Sequence, residues 1–270
     1  MTASAAPVIA VLGLGEAGSL IATDLARAGA IVHGFDPQVP APAAIRAFSS
    51  DASAARGARL IMSLTSAHEA APALRLSLSG IDAGAIYADL NTGSAGLKAA
   101  LATTAAQAGV AFADVALMAP VPGLGLRTPM LASGPAADDY ARILRPLGAA
   151  VTTLPGPPGT AATRKLVRSV FYKGLAAAVT EALRAGRAAG CEDWLRTDIG
   201  HVLEDASAAT VDRLERGSIQ HARRRMDEMK AAGDLLDELG VPPRVARASQ
   251  AWLEQLMTEA DRDQATSGGD

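Results

Sequence analysis

A chain of 270 residues is long enough for one large domain or two modest ones, each able to bury a core. Hydrophobic residues make up 49% and charged residues 20%, which excludes the weakly hydrophobic, highly charged regime of disorder. The balance of 25 Lys+Arg against 28 Asp+Glu, a formal charge of −3, leaves no electrostatic footprint for a polyphosphate backbone, so nucleic acid is not an expected partner.

A single cysteine, Cys191, forms no internal disulfide, and His33, His68, His201 and His221 are scattered, so no metal site is expected and the compartment is read as reducing. The apolar run Val8–Leu14 lacks the charged flank of a signal peptide and runs straight into glycines. No stretch approaches the ~20 apolar residues needed to span a bilayer. A cytoplasmic protein is the expectation.

Along the first 154 residues one theme repeats: a short apolar run, a turn, then an alanine-rich stretch able to be helical. Strands are predicted at Val8–Leu12, Ile31–Phe35, Leu60–Leu64, Ala85–Leu90, Val110–Val115, Met130–Ala132 and Val151–Leu154. Helices between strands cover a sheet face, which predicts an α/β domain with a doubly wound, mostly parallel sheet. Pro155-Gly156-Pro157-Pro158-Gly159 interrupts regular structure and sets the predicted boundary: residues 1–154, then 155–270. The second part reads as all-α, with helical stretches through Ala189, over Trp194–Glu215, over Ser218–Leu239 and near Arg244–Glu259, and a frayed tail from Asp261.

The first predicted strand leads directly into Gly13-Leu14-Gly15-Glu16-Ala17-Gly18, a G-x-G-x-x-G loop that opens an amphipathic helix running to Ala28. In such a loop Gly13 permits the tight turn, Gly15 lets a pyrophosphate approach the backbone, and Gly18 lets the helix lie close to the sheet. The helix beginning at Glu16 aims free N–H groups and its positive end at phosphates. Asp36, 18 residues past Gly18 at the end of the second strand, is placed to bond the adenosine 2′-hydroxyl and repel a 2′-phosphate. These features predict a Rossmann-type dinucleotide domain for NAD, with NADP open through Arg46 or Arg56. The competing reading is that Asp36-Pro37 only begins a turn. Thr65, just past the third predicted strand, joins the cofactor set.

Only Lys98, Lys165, Lys173 and Lys230 are lysines, against 21 arginines. On one predicted helix Lys165, Arg168, Ser169, Tyr172 and Lys173 fall at i, i+3, i+4, i+7 and i+8 and share a face. Lysine suits a proton-transfer role because burial and a neighbouring cation lower its pKa toward neutrality, whereas arginine stays protonated. The alternative is a solvated helix face. Trp194 and Trp252 read most simply as core, and Arg223-Arg224-Arg225 as a solvated face balanced by Asp227 and Glu228, or else as an interface or phosphate contact. A helical part of this size, bearing two tryptophans and several methionines, needs somewhere to pack, which favours an oligomer.

Together these residues resemble the β-hydroxyacid dehydrogenases, related to 6-phosphogluconate dehydrogenase and 3-hydroxyisobutyrate dehydrogenase. Gly13–Gly18 is similar to that family's G-L-G-x-M-G, with Ala17 in the methionine position. Lys165 matches the lysine of G-x-x-x-K-x-x-x-N and precedes Glu181 by 16 residues, with Ala161 where the motif has glycine and Ser169 where it has asparagine. The nearest counterpart of the substrate loop D-A-P-V-S-G-G is Met118-Ala119-Pro120-Val121-Pro122-Gly123, in which Pro122 replaces the serine that contacts a carboxylate. Asn91-Thr92 stands where the family has Ser-Thr on the nicotinamide side.

The segment Arg164–Leu175, with His221–Met229, resembles a bacterial branch whose C-terminal helical domain has no known function. There R-K-L-x-R-S-x-x-x-K-G recurs, and Lys173 rivals Lys165. The resemblance implies an oxidoreductase in which Lys165 or Lys173 moves the hydroxyl proton and Ser169 positions the substrate oxygen. Met118, Pro120, Pro122, Gly123, Arg168 and Tyr172 border the substrate, and the C-terminal helices pair two subunits. Two other readings stay open: an imine reductase of the same fold, and a dinucleotide-binding regulator without chemistry.

Overall fold

Apolar runs without polar alternation make strands covered on both faces, and a computed structural model describing residues 6–267 has this arrangement. The chain divides into two compact units, one ending at Arg168 and one beginning at Ser169. In order, the first contains β1 (Val8–Leu12), α1 (Glu16–Arg27), β2 (Ile31–Phe35), β3 (Arg46–Ala47), α2 (Asp51–Ala55), β4 (Leu60–Ser63) and α3 (Ala70–Ser77). Then follow β5 (Ile86–Asp89), α4 (Ala95–Gln107), β6 (Ala111–Leu117), β7 (Met130–Ser133), α5 (Ala137–Leu144), β8 (Val151–Thr153) and the opening of α6 (Thr160–Ala188).

All seven expected strands form, with ends moved by two residues at most. The eighth, β3, is only two residues long, too short for any periodic signal. Strand order is β3-β2-β1-β4-β5-β6-β7-β8. Every pairing is parallel except β6 with β7. The exception follows from the connection: between β6 and β7 only a 3-10 turn at Gly125–Arg127 intervenes, and no helix carries the chain back across the sheet.

Successive residues point to opposite faces, so Ile9, Val11, Leu60, Met62 and Val115 pack one core beneath α1 and α5. Ala10, Leu12, Ile61, Tyr87 and Phe112 pack the other, with Leu101 and Ala105 of α4. The order of strands reverses at β1, which places the mouth of a crevice at the carboxyl ends of β1 and β4.

The predicted boundary at Pro155–Gly159 lies fourteen residues before the division between units, because the first turns of α6 are bound to the sheet of the first unit. The second unit contains the rest of α6 with α7 (Glu192–Glu204), α8 (Ala208–Gln220), α9 (Ala222–Glu238) and α10 (Arg244–Ser267). Two expected helices are interrupted. Trp194–Glu215 breaks at Asp205–Ser207, where Ser207 starts α8 in a reciprocal cap with Thr210; Ser218–Leu239 breaks at His221. The tail expected to fray from Asp261 continues α10 to Ser267, and its last three residues lie outside the described ones.

Glu181 of α6 accepts the Val245 and Ala246 N–H groups at 2.8 Å each, capping the first turn of α10 from another helix. Trp194 and Trp252, expected in the core, are 65% and 58% exposed. The unit's alanine-rich helices enclose little volume, with Ala222, Leu236, Ala246 and Leu253 as its buried hydrophobics.

Candidate active site

The glycine loop is dictated by backbone crowding. Gly13 has φ +92°, and a Cβ there would lie 2.5 Å from the Leu64 carbonyl oxygen. A Cβ on Gly18 would collide with the Gly13 carbonyl oxygen, so the start of α1 and the end of β1 meet without a side chain between them. Gly15, by contrast, has nothing within 4 Å of a would-be Cβ: here glycine leaves open space instead of relieving a clash. The helix starts at Glu16 with no side-chain cap, and the amides of its first turn have no intrahelical acceptor. An open approach over Gly15 to uncapped amides fits a pyrophosphate.

Asp36 is partly buried at the end of β2, and its carboxylate organises the loop. Oδ2 accepts the Leu14 N–H at 2.8 Å, and Oδ1 accepts those of Gln38 and Val39 at 2.8 and 2.9 Å. Burial works to raise its pKa, but the three amide donors outweigh it and hold the carboxyl below its ordinary value. The turn reading of Asp36-Pro37 thus describes part of what the residue does. Oδ2, with one donor, keeps acceptor capacity for a hydroxyl.

Gly13, Gly15, Asp36, Asp51, Thr65 and Glu69 help to line a cleft of about 380 Å³ at the switch point. Its charged lining residues are all acidic; Arg46 and Arg56 are exposed elsewhere and do not line it.

Asp51, on the first residue of α2 and only 8% exposed, was not foreseen. Burial raises its carboxyl above the ordinary value; its own backbone N–H opposes this and the negative charge of Asp36 adds to it. An acid whose folded pKa is raised penalises folding once pH exceeds its unfolded pKa, and the penalty vanishes below that value. Asp51→Asn is therefore expected to melt at a higher temperature than the parent at pH 7. The two curves converge as pH falls toward ~4, where the unfolded carboxyl is itself protonated. An equal gain at every pH would mean that charge is not the cause.

Just past the carboxyl end of β5 the Lys165 ammonium donates to Thr92 Oγ1 at 2.8 Å. Arg168, one turn further along α6, donates through a guanidinium N–H to the Met118 carbonyl at 2.8 Å, tying the helix to the loop after β6. Within that loop Pro120, Pro122 and Gly123 are exposed and Val121 is buried. Ser169, Tyr172 and Lys173 lie on the same helix in the second unit. At 1.5 Å rise per residue, Lys173 is ~12 Å along the axis from Lys165. Asn91, assigned to the cofactor, is buried, and its amide turns inward: it donates to Ser63 Oγ at 2.9 Å and to Asp89 Oδ1 at 2.5 Å.

Those bonds belong to a network that sequence reasoning missed. Register aligns Ser63 with Asp89, Asp89 with Asp114 and Asp114 with Ser133, one polar row across four strands at 0% exposure. Lys98 of α4, 1% exposed, reaches Asp89 Oδ2 at 2.5 Å, the Asp89 carbonyl at 2.9 Å and Asp114 Oδ1 at 3.3 Å. Burial raises the Asp89 carboxyl, against the pull of Lys98 and Asn91, while Asp114 adds to the rise. The available signal was a polar residue interrupting otherwise apolar strands, together with a lysine in an arginine-rich chain.

In the second unit Arg224 pairs with Glu228 at 2.6 Å, as the solvated-face reading expected, whereas Arg225 turns to Ser218 Oγ at 2.9 Å. Among the described residues no group of three or more His, Cys, Asp or Glu is placed to hold a metal ion, and no helix is long and apolar enough to cross a membrane.

Residues 8–154 match the family model of the NAD binding domain of 6-phosphogluconate dehydrogenase, and residues 187–256 match DUF1932, a domain of unknown function. No curated protein matches the sequence. Among solved structures, a conserved hypothetical protein from Sinorhizobium meliloti 1021 is 25% identical over 93% of this chain and 88% of its own, with a TM-score of 0.60. The imine reductase from Myxococcus stipitatus, solved in complex with NADP+, is 19% identical over 94% of this chain and 95% of its own, with a TM-score of 0.79. A conserved protein of unknown function, described as structurally similar to 3-hydroxyacid dehydrogenases, is 23% identical over 92% of this chain and 97% of its own, with a TM-score of 0.58.

Proposed function

The chain belongs to the family defined by the NAD-binding domain of 6-phosphogluconate dehydrogenase, and on that footing we propose that it moves hydride between nicotinamide and a small polar alcohol or carbonyl compound, with Lys165 as proton carrier. The substrate class in this reading is a hydroxy acid or sugar-acid derivative. The observation that carries it is the Lys165–Thr92 contact at 2.8 Å, just past the carboxyl end of β5, the strand beside β4. Gly13, Gly15, Gly18 and the first amides of α1 hold the pyrophosphate, and Asp36 holds the ribose.

The bound cofactor supplies or accepts the hydride. Thr92 orients the Lys165 side chain. In oxidation its free amine takes the substrate hydroxyl proton; in reduction its ammonium donates that proton to the carbonyl oxygen. Arg168, through its bond to Met118, holds the loop after β6 against the start of α6.

The acidic lining of the cleft favours NAD over NADP, because a 2′-phosphate would meet Asp36, Asp51 and Glu69, and no lysine or arginine is among the lining residues. A fluorescence titration is expected to find NADH bound at least ~10-fold more tightly than NADPH. Asp36→Ala should weaken NADH without creating NADPH affinity, since the same change frees the Leu14 amide and loosens the loop. Tighter binding of NADPH would reverse the assignment. A screen of alcohols and carbonyl compounds at the reduced-cofactor band then tests hydride transfer.

A second reading, imine reduction, draws on the fold shared with the Myxococcus enzyme and on Pro122, which brings no hydroxyl to a substrate carboxylate. Turnover of cyclic imines with none of hydroxy acids would select it.

The second unit is read as a dimerisation module and the chain as a cytoplasmic protein, in keeping with a single exposed thiol. Val170, Phe171 and Trp252 are 76%, 60% and 58% exposed, and they border a groove of about 890 Å³ along α6, α9 and α10. Exposed apolar area of this kind is normally covered by another chain. Light scattering is expected to give twice the chain mass, and Phe171→Asp combined with Trp252→Asp a monomer. A monomeric parent would end this reading.

A further inference from the structure

The Lys165–Thr92 contact has two sides, and both are anchored in one buried cluster. On the helix side, Asp114 Oδ2 accepts the Gly159 N–H at 2.9 Å, the Ala162 N–H at 3.0 Å and the Ser133 hydroxyl at 3.2 Å. Ser133 Oγ in turn accepts the Ala161 N–H at 3.0 Å. The amides that open α6 are thereby fastened to β6 and β7, and Lys165 stands one turn beyond Ala162. On the other side, Thr92 follows Asn91, whose amide is fixed to Asp89 Oδ1, and Asp89 Oδ2 meets Lys98. The path closes through Lys98, which lies 3.3 Å from Asp114 Oδ1.

The ring of contacts runs from Lys165 to Thr92, along the backbone to Asn91, then through Asp89, Lys98 and Asp114 to the start of α6. Asp114 Oδ1, buried, has no hydrogen-bond partner among the described residues and faces only the Lys98 ammonium in that path. Capping α6 alone would need Oδ2 and no lysine. The link to Lys98 instead couples the helix position to the β5 end, where Thr92 is held.

We propose that Asp114 is a positioning residue for Lys165, acting through the first turn of α6 and coupled by Lys98 to the Asp89–Asn91–Thr92 side of the contact. The inference rests on Lys165 being the proton carrier, and it deepens that reading. Small displacements matter at such a contact, since misplacing a reacting group by ~1 Å can cost ~100-fold in rate.

The test reads Lys165 itself and needs no substrate. In the full-length protein, competitive acylation with acetic anhydride, followed by mass spectrometry across pH, measures the reactivity of Lys165 against Lys173 and Lys230 in the same chain. The parent is expected to show a rate–pH profile at Lys165 distinct from the other two. Asp114→Asn should move that profile toward theirs, with at least a ~5-fold change in rate at a fixed pH, while NADH affinity stays within ~2-fold.

Ser133→Ala, which removes one Asp114 donor and the Ala161 acceptor, should shift it in the same direction by less, and serves if Asp114→Asn does not fold. A folded, NADH-binding Asp114→Asn or Ser133→Ala protein with the parent profile overturns the positioning role and leaves Lys165 as carrier. A parent whose Lys165 already matches Lys173 and Lys230 overturns the carrier reading, and this inference with it.

Discussion

Lys165→Ala is expected to lower kcat by at least ~100-fold, the usual worth of a positioned proton carrier, with NADH affinity within about twofold of the parent. Affinity is spared because the dinucleotide cleft is lined by the glycine loop, Asp36 and the residues after β4, and Lys165 is not among its lining residues. Lys173→Ala, on the same helix face but two turns on, is expected to change kcat by less than ~3-fold, because eight residues of rise separate it from the Thr92 contact.

The pH profile discriminates further. If Lys165 carries the proton, its loss removes one limb of the rate–pH curve, and small primary amines added to Lys165→Ala restore part of the rate. The measurement is steady-state turnover on the best substrate from the screen. A large loss in Lys173→Ala with little in Lys165→Ala would exchange the two roles.

What was legible in the sequence was whatever the backbone demands locally. Gly13 and Gly18 could be assigned because their spacing answers a steric requirement, and the collisions that a Cβ would make at each bear out those reasons. Strand positions were legible because double burial writes itself as an unbroken apolar run. The face shared by Lys165 and Arg168 was legible from helical periodicity alone.

The missed features are those made by long-range register. Ser63, Asp89, Asp114 and Ser133 are separated by dozens of residues and meet only because four strands align one residue of each in a row. No local pattern announces that. Asn91 was assigned to the nicotinamide side by resemblance, and the same row supplies its amide with two acceptors, Ser63 and Asp89. The unit boundary was drawn at the proline-glycine segment because that is where regular structure stops. Hydrogen bonds donated by the Gly159, Ala161 and Ala162 N–H groups to Asp114 and Ser133 keep the chain in the first unit beyond it. The tryptophans were expected in a core that the alanine-rich second unit does not enclose.

Lys98→Met is expected to be the most damaging single change to the first unit's stability. Lys98 is 1% exposed and stands between two carboxylates at 0% exposure, Asp89 and Asp114. Removing the cation of a buried ion pair leaves uncompensated charge, worth ~3–5 kcal/mol of lost stability. For a folding unit of this size that is roughly 6–20 °C in Tm.

The burden falls unequally. Asp114 keeps two backbone N–H donors and the Ser133 hydroxyl, whereas Asp89 keeps only the Asn91 amide. Asp89→Asn should therefore destabilise the parent but restore stability in the Lys98→Met background, a reversal of sign that a double-mutant cycle by calorimetry reads directly. Because burial already holds the Asp89 carboxyl above its usual range, acid protonates it readily, and the cost of Lys98→Met should shrink as pH falls. A cost independent of pH and of Asp89 would mean that the aliphatic stem of Lys98 matters for packing while its charge does not.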